Sequence, residues 1–246
     1  TGGTALATTA AIDLGAGDDM ASFDAGMLVL AAAGAVVDGG DGTADTLGIV
    51  SGAASGATIQ NFEFLQVTNA LVAALDVADF GDIQHVQLND VSGAQSIFGL
   101  ESGATIEHLA AVTGTGIAVD GTLLGAADDV INVELNAGGG GSLDFGDVDV
   151  SDVETLNIDS GTDLADPTTT DSTMTVTDNG NVETVVVTGD VALNVSGSTL
   201  GTDLAGVTSL TGHDAGLTAD ISGGTVAQTG TLGSGDDDVT VGSGGS

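Results

Sequence analysis

An apolar residue followed by apolar positions three and five later recurs along this chain. The pattern appears as Ala44/Leu47/Ile49, Phe62/Leu65/Val67, Ile83/Val86/Leu88 and Ile106/Leu109/Ala111. It continues as Val130/Val133/Leu135, Val153/Leu156/Ile158 and Val182/Val185/Val187, with Val207/Leu210 as a weaker member that lacks the third residue. The first positions are separated by 18, 21, 23, 24, 23, 29 and 25 residues. The last two positions of a triple alternate, as in Val133-Glu134-Leu135 and Leu156-Asn157-Ile158, so both face one side of a strand. A period in the low twenties suits one coil of a parallel β-solenoid, in which the aliphatics of successive coils form inward columns. The pattern therefore predicts an all-β fold, a solenoid-like stack of coils of roughly 20–29 residues, turned by Gly, Asp, Asn, Ser and Thr. An array of small β-sandwich domains is the structural rival, because short alternating strands suit it too.

Further strands are expected at 27–30, 173–177 and 191–195. The stretch 69–80 has helix-compatible composition and reads as a short helix between coils. Residues 136–142 form a Gly-rich loop, and 160–172 carry the only proline, Pro167, so both read as insertions or joints.

Charge changes the picture most. The 246 residues contain no Lys or Arg against 36 Asp and Glu, a formal net charge of −36. A compact chain so charged repels itself unless a cation neutralises it, and no side chain carries a permanent positive charge. Divalent metal is the simplest source: about eighteen Ca²⁺ would cancel the formal charge, and far fewer, each held by several carboxylates, would suffice for folding. Disorder is the alternative for such a charge, but 41% hydrophobic residues and a mean hydropathy of +0.35 are too apolar for a solvated tail. The core is expected to be aliphatic, since Trp, Tyr and Cys are absent. No run of about eighteen apolar residues suggests a transmembrane helix. Beginning at Thr1 without Met and stopping in a Gly/Ser run, the sequence reads as a portion of something longer.

A second motif overlies the coils. Leu14-Gly15-Ala16-Gly17-Asp18-Asp19 recurs as Leu124-Gly125-Ala126-Ala127-Asp128-Asp129 and as Leu232-Gly233-Ser234-Gly235-Asp236-Asp237-Asp238. Its spacing divides the chain into a first β-repeat module (1–122), a second (123–230) and the start of a further repeat (231–246). A fourth acidic turn spans 38–45, with Asp38, Asp41 and Asp45. Glycines permit positive φ and close approach of carbonyl oxygens, while clustered carboxylates supply hard oxygen ligands. Calcium, which takes six to eight oxygens in irregular geometry, suits that combination. The candidate ligand positions are Gly15, Gly17, Asp18, Asp19, Asp38, Asp41, Asp45, Asp128, Asp129, Gly233, Gly235, Asp236, Asp237 and Asp238.

Here the chain resembles the RTX-type calcium-binding repeats of bacterial secreted proteins, with their nonapeptide G-G-x-G-x-D-x-U-x. Gly233, Gly235, Asp237 and Val239 match its second, fourth, sixth and eighth positions, and Gly15, Gly17 and Asp19 fit the same frame. Ala127 replaces a glycine in the copy at 125–129, and in the copy at 39–45 Ala44 stands at the acidic position, with Asp45 one later. The copies are degenerate. The wider texture, with Asn-Phe-Glu-Phe-Leu at 61–65 echoed by Val153-Glu154-Thr155-Leu156 and Val182-Glu183-Thr184-Val185, is similar to bacterial surface-layer proteins. The resemblance implies a secreted protein on the exterior of a bacterium, loaded with several Ca²⁺ ions. It would self-assemble with copies of itself into a calcium-bridged layer or filament, with cell-surface polysaccharide as a further expected partner.

Other chemistry finds little support. His85, His108 and His213 match no metal-ligand spacing and read as exposed or hydrogen-bonded turn residues, although His85 and His108 occupy equivalent places that would let them stack on adjacent coils. No Gly-x-Ser-x-Gly elbow is present, and without Cys there is no thiol nucleophile. Carboxylate pairs can hydrolyse glycosides, yet Lys, Arg, Trp and Tyr, which hold sugars, are all missing. No enzyme is expected. The charge also argues against nucleic acid and insertion into an anionic membrane. The leading expectation is a structural extracellular protein. The alternative is a calcium-loaded adhesin or extender that binds ice or glycan.

Overall fold

The computed structural model describes residues 11–23, 34–52, 56–89, 95–110, 117–120, 128–136, 144–150, 152–161, 172–178, 182–195, 209–212, 214–221 and 228–241. In the first third lie β1 (Ala11–Asp13), β2 (Met20–Ser22), β3 (Val36–Asp38), β4 (Thr46–Ile49), β5 (Thr58–Gln60), β6 (Phe64–Val67) and β7 (Leu75–Asp76). The middle holds β8 (His85–Leu88), β9 (Gln95–Phe98), β10 (Ala104–His108), β11 (Ile117–Asp120), β12 (Val130–Leu135), β13 (Asp144–Val150) and β14 (Thr155–Asp159). The last part contributes β15 (Ser172–Asp178), β16 (Thr184–Thr188), β17 (Leu193–Asn194), β18 (Ser209–Thr211), β19 (Leu217–Ile221), β20 (Thr229–Thr231) and β21 (Asp238–Val241).

These strands form a β-solenoid. Even-numbered strands β2 to β20 make one ten-stranded sheet, while β7 to β21 make an eight-stranded sheet and β1, β3 and β5 a three-stranded one. Neighbours in each sheet are two strands apart in sequence, so one coil supplies one strand to each side. Every pairing is parallel, for example Leu47↔Leu65 and Leu65↔Val86. Parallel sheets are buried on at least one face by the crossover chain, which excludes the antiparallel β-sandwich.

The core is a set of aliphatic columns. Leu47, Leu65, Val86, Ile106, Val133, Ile158 and Val187 lie in register along the ten-stranded sheet, and all are buried. Facing them are Leu75, Ile97, Val119 and Val150, a column of the other sheet. Burying one such side chain stabilises by about 1.5–3 kcal/mol, so stacked coils succeed where a lone coil has nothing to pack against.

The sequence frame fails at one coil. Leu109 and Ala111 were the expected inward pair, but the strand is Ala104–His108, with Ala104, Ile106 and His108 inside. Leu109 is only partly buried beyond the strand end, and Ala111 lies outside the described residues. Register from Ile106 runs to Val86 on one side and Val133 on the other. Packing thus chose Ile over the equally spaced Leu. The helix expected at 69–80 is present only as the 3₁₀ turn Val77–Phe80, capped where Asp76 Oδ1 accepts the Ala78 N–H at 3.2 Å. The strand expected at 173–177 is β15, that at 191–195 is reduced to β17, and 27–30 lies outside the described residues.

Candidate metal centre

The first two acidic turns sit one on the other. Gly15 O accepts the Asp41 N–H at 2.7 Å, and Asp38 O accepts that of Leu14 at 3.1 Å. A Cβ on Gly40 (φ +103°) would lie 1.9 Å from Gly15 O, and one on Gly42 would lie 2.2 Å from Asp45 Oδ2. Only glycine lets the backbones approach so closely. Gly15 and Gly17 have φ of +99° and +119° with open space around them, so their glycines serve backbone conformation alone.

Each acid of these turns has a definite place. Asp18 Oδ1 accepts the Thr43 N–H at 3.3 Å from an exposed position. Asp38 is occupied: Oδ1 accepts from Gly40 N and Asn61 Nδ2, and Oδ2 from Gln60 Nε2. The Asn61 bond, then that of Gln60, holds its carboxyl below the usual range. Asp41 is exposed. Asp45 is fully buried; its Oδ1 accepts the Asp19 N–H at 2.7 Å, while Oδ2 has no hydrogen-bond partner. A buried anionic oxygen facing no donor is costly without a cation.

Asp45 also belongs to a repeated corner. Its carbonyl accepts the N–H groups of Glu63 and Phe64, and its own N–H donates to Glu63 Oε2 at 2.7 Å. Asp129 repeats this one for one: its carbonyl accepts from Glu154 and Thr155, and its N–H donates to Glu154 Oε2 at 2.8 Å. Glu63 and Glu154 are therefore caps, each tying its coil to the one before it. Asp128, beside this corner, is exposed. At the far end Asp237 Oδ1 accepts the Leu217 N–H at 2.8 Å, and Asp214 Oδ1 that of Ser234. Gly235 packs against Gly216 and Asp214, with space for no Cβ, whereas Gly233 is half-buried and Asp236 and Asp238 are exposed.

Three metal-capable side-chain atoms converge elsewhere. Among the described residues, His85, Glu107 and Glu134 bring their ligand atoms within 4.8 Å of one another. They stand on β8, β10 and β12, on the outer face of the ten-stranded sheet. His85 Nε2 lies 3.0 Å from Glu107 Oε2. Gln87 Nε2 also donates to that oxygen at 2.8 Å, and Asn136 Nδ2 donates to Oε1 at 2.9 Å. The His85 hydrogen bond above all holds the Glu107 carboxyl down to about 2. Glu134 is pushed up by burial first; His85 acts against this, while Glu107 and Asp159 raise it further.

The histidines are not stacked. His85 pairs in register with Thr105 and faces out, while His108 pairs with Leu88 and is buried in the core, where desolvation lowers it to about 4. The strand of the coil that carries His108 is Ala104–His108, not the frame set by Leu109 and Ala111, so His108 lies on the opposite face from the one that would stack it on His85. His213 lies outside the described residues. In comparisons with known proteins, no family model, no curated protein and no solved structure matches this chain.

Proposed function

We propose that this chain is a structural, extracellular protein whose acidic solenoid is loaded with several Ca²⁺ ions and self-assembles into a surface layer or filament. The observation that carries it is Asp45: a fully buried carboxylate with one partnerless oxygen in a chain with no Lys or Arg. Stacked glycine turns add carbonyl oxygens nearby, the ligand type a hard cation takes. Asp18, Asp19 and Asp41 join Asp45 as ligands at the 15–45 corner, and Asp128/Asp129 and the 233–238 turn are the corresponding places further along. Asp38, whose oxygens are all engaged, serves as a strut. No catalysis is assigned.

Ice binding is the less favoured reading. Thr173, Thr175 and the backbone of residue 177 pair in register with Asp144, Asp147 and Asp149, so one strand's threonines are not continued on its neighbour. A regular threonine array, which would order water, is not built there.

Electron micrographs of the purified chain with Ca²⁺ and with excess EGTA test assembly. Ordered sheets or filaments that vanish on chelation are expected; monomers under both conditions would contradict the proposal. Asp45→Asn tests the site with opposite signs. It keeps the acceptor for Asp19 but removes the charge, so in EGTA the variant should be more stable by about 1–3 kcal/mol. In excess Ca²⁺ it should be less stable than the unaltered chain, as chemical denaturation will read.

A further inference from the structure

Glu107 and Glu134 stand directly opposite in the β10–β12 register, and Asp159 follows Glu134 on β14. Like charges directly opposed across a strand pair are destabilising, and this column has no Lys or Arg to relieve it. Gln87 ends the acidic run opposite Glu107 on β8, and His85 lies two residues before it on the same face. Its ring leans on Phe64 at 4.6 Å, which fixes the imidazole against the sheet.

We propose that His85, Glu107 and Glu134 bind one divalent transition-metal ion of the zinc class on the outer face of the ten-stranded sheet, tying three successive coils together. The donor set decides the metal. Calcium takes oxygen ligands, whereas an imidazole nitrogen with two carboxylates suits zinc and its neighbours. Bonds of 2.0–2.1 Å in a tetrahedron put ligand atoms about 3.3 Å apart. His85 Nε2 and Glu107 Oε2 are already 3.0 Å apart, and the whole set lies within 4.8 Å, so side-chain rotation closes the site without moving the sheet. Three protein ligands leave the fourth position for water.

The carboxylate at the centre is held in advance. Gln87 and Asn136 fix both oxygens of Glu107, which is itself buried, as partners behind a metal ligand do. Glu134 accepts no hydrogen bond from a described side chain and completes the site on the far side. The ion would take the place between His85 and Glu107 that their hydrogen bond now spans. This site is separate from the acidic glycine turns, and zinc binding here stands or falls independently of calcium in them.

The test uses the full chain, stripped of metal and reloaded with excess Ca²⁺ so that ordinary carboxylates are saturated. Calorimetric titration with Zn²⁺ should show a site that excess Ca²⁺ does not displace, and the melting temperature should rise with added Zn²⁺. His85→Gln and Glu134→Gln should each weaken that site by well over about tenfold, and Asn136→Ala by about tenfold, with circular dichroism unchanged. Zinc affinity equal to that of the unaltered chain in His85→Gln, or complete displacement by Ca²⁺, would overturn the proposal. If a variant fails to fold, nuclear magnetic resonance of the unaltered chain decides. The His85 Nε2 signal should move on zinc addition; movement confined to the other histidines would refute the assignment.

Discussion

Gly40→Ala is expected to pull the first two coils apart. The new Cβ would enter to 1.9 Å of Gly15 O, 2.8 Å of its carbon and 2.9 Å of its nitrogen. All three are backbone atoms of the neighbouring turn, so no side chain can rotate away to relieve the clash. The backbone there has φ +103°, itself strained for any residue with a Cβ. The strain alone costs about 1–2 kcal/mol. Together with the clash the loss should reach about 3–5 kcal/mol, at the upper end for single substitutions. Gly17→Ala is the matched control: φ is +119°, but nothing lies within 4 Å of the added carbon. It should cost only the strain. Because solenoid coils unfold in part as local units, hydrogen exchange at residues 11–23 and 34–52 is the measurement. Equal loss of protection in the two variants would contradict the close stacking of these turns.

His108→Leu is expected to remove much of the acid sensitivity of the core. His108 occupies an inward column between Leu88 and Leu135, with no exposed surface. Burial lowers it from 6.5 to about 4. The folded state therefore resists a proton that the unfolded chain takes up. The sign follows: stability is whole above about pH 6.5 and is lost as pH falls through the window from 6.5 to 4. Each unit is worth about 1.4 kcal/mol, so at pH 5 the histidine should cost about 2 kcal/mol relative to pH 7. Leucine carries no proton and matches its neighbours in the column. Denaturation at pH 7 and pH 5, zinc-free and at fixed excess Ca²⁺, should show the variant losing about 2 kcal/mol less than the unaltered chain. Identical losses would mean that His108 is not the group responsible.

The coil was legible because hydrophobic spacing repeated; the register within it was less so. Leu47, Leu65, Val86, Val133 and Leu156 all proved inward, since the last two positions of each of these triples share one parity and one face of the strand. At 104–111 two framings fit equally well, and only stacking against Val86 and Val133 selects Ile106. That single slip hid the outward placement of Glu107 beside His85. Glu63 and Glu154 were visible as part of a recurring phrase, yet their capping of the preceding coil depends on distances between coils. Spacing along the chain does not carry these. The glycines of the acidic turns were legible as places of positive φ and close carbonyl approach, as Gly40 against Gly15 O shows, but that one turn sits on another was not. Which of their carboxylates are engaged as struts, like Asp38, was not, because the donors Gln60 and Asn61 come from the next coil.

The central claim is that bound calcium permits so many anions to share one compact solenoid. Far-ultraviolet circular dichroism of the metal-stripped chain in dilute buffer, before and after Ca²⁺ is added back, tests it most directly. We expect the β signal to be largely lost after stripping and restored by Ca²⁺, because ions bound to the folded state would offset its self-repulsion. A spectrum equally rich in β-structure with and without the metal, from a chain that still assembles in EGTA, would contradict it.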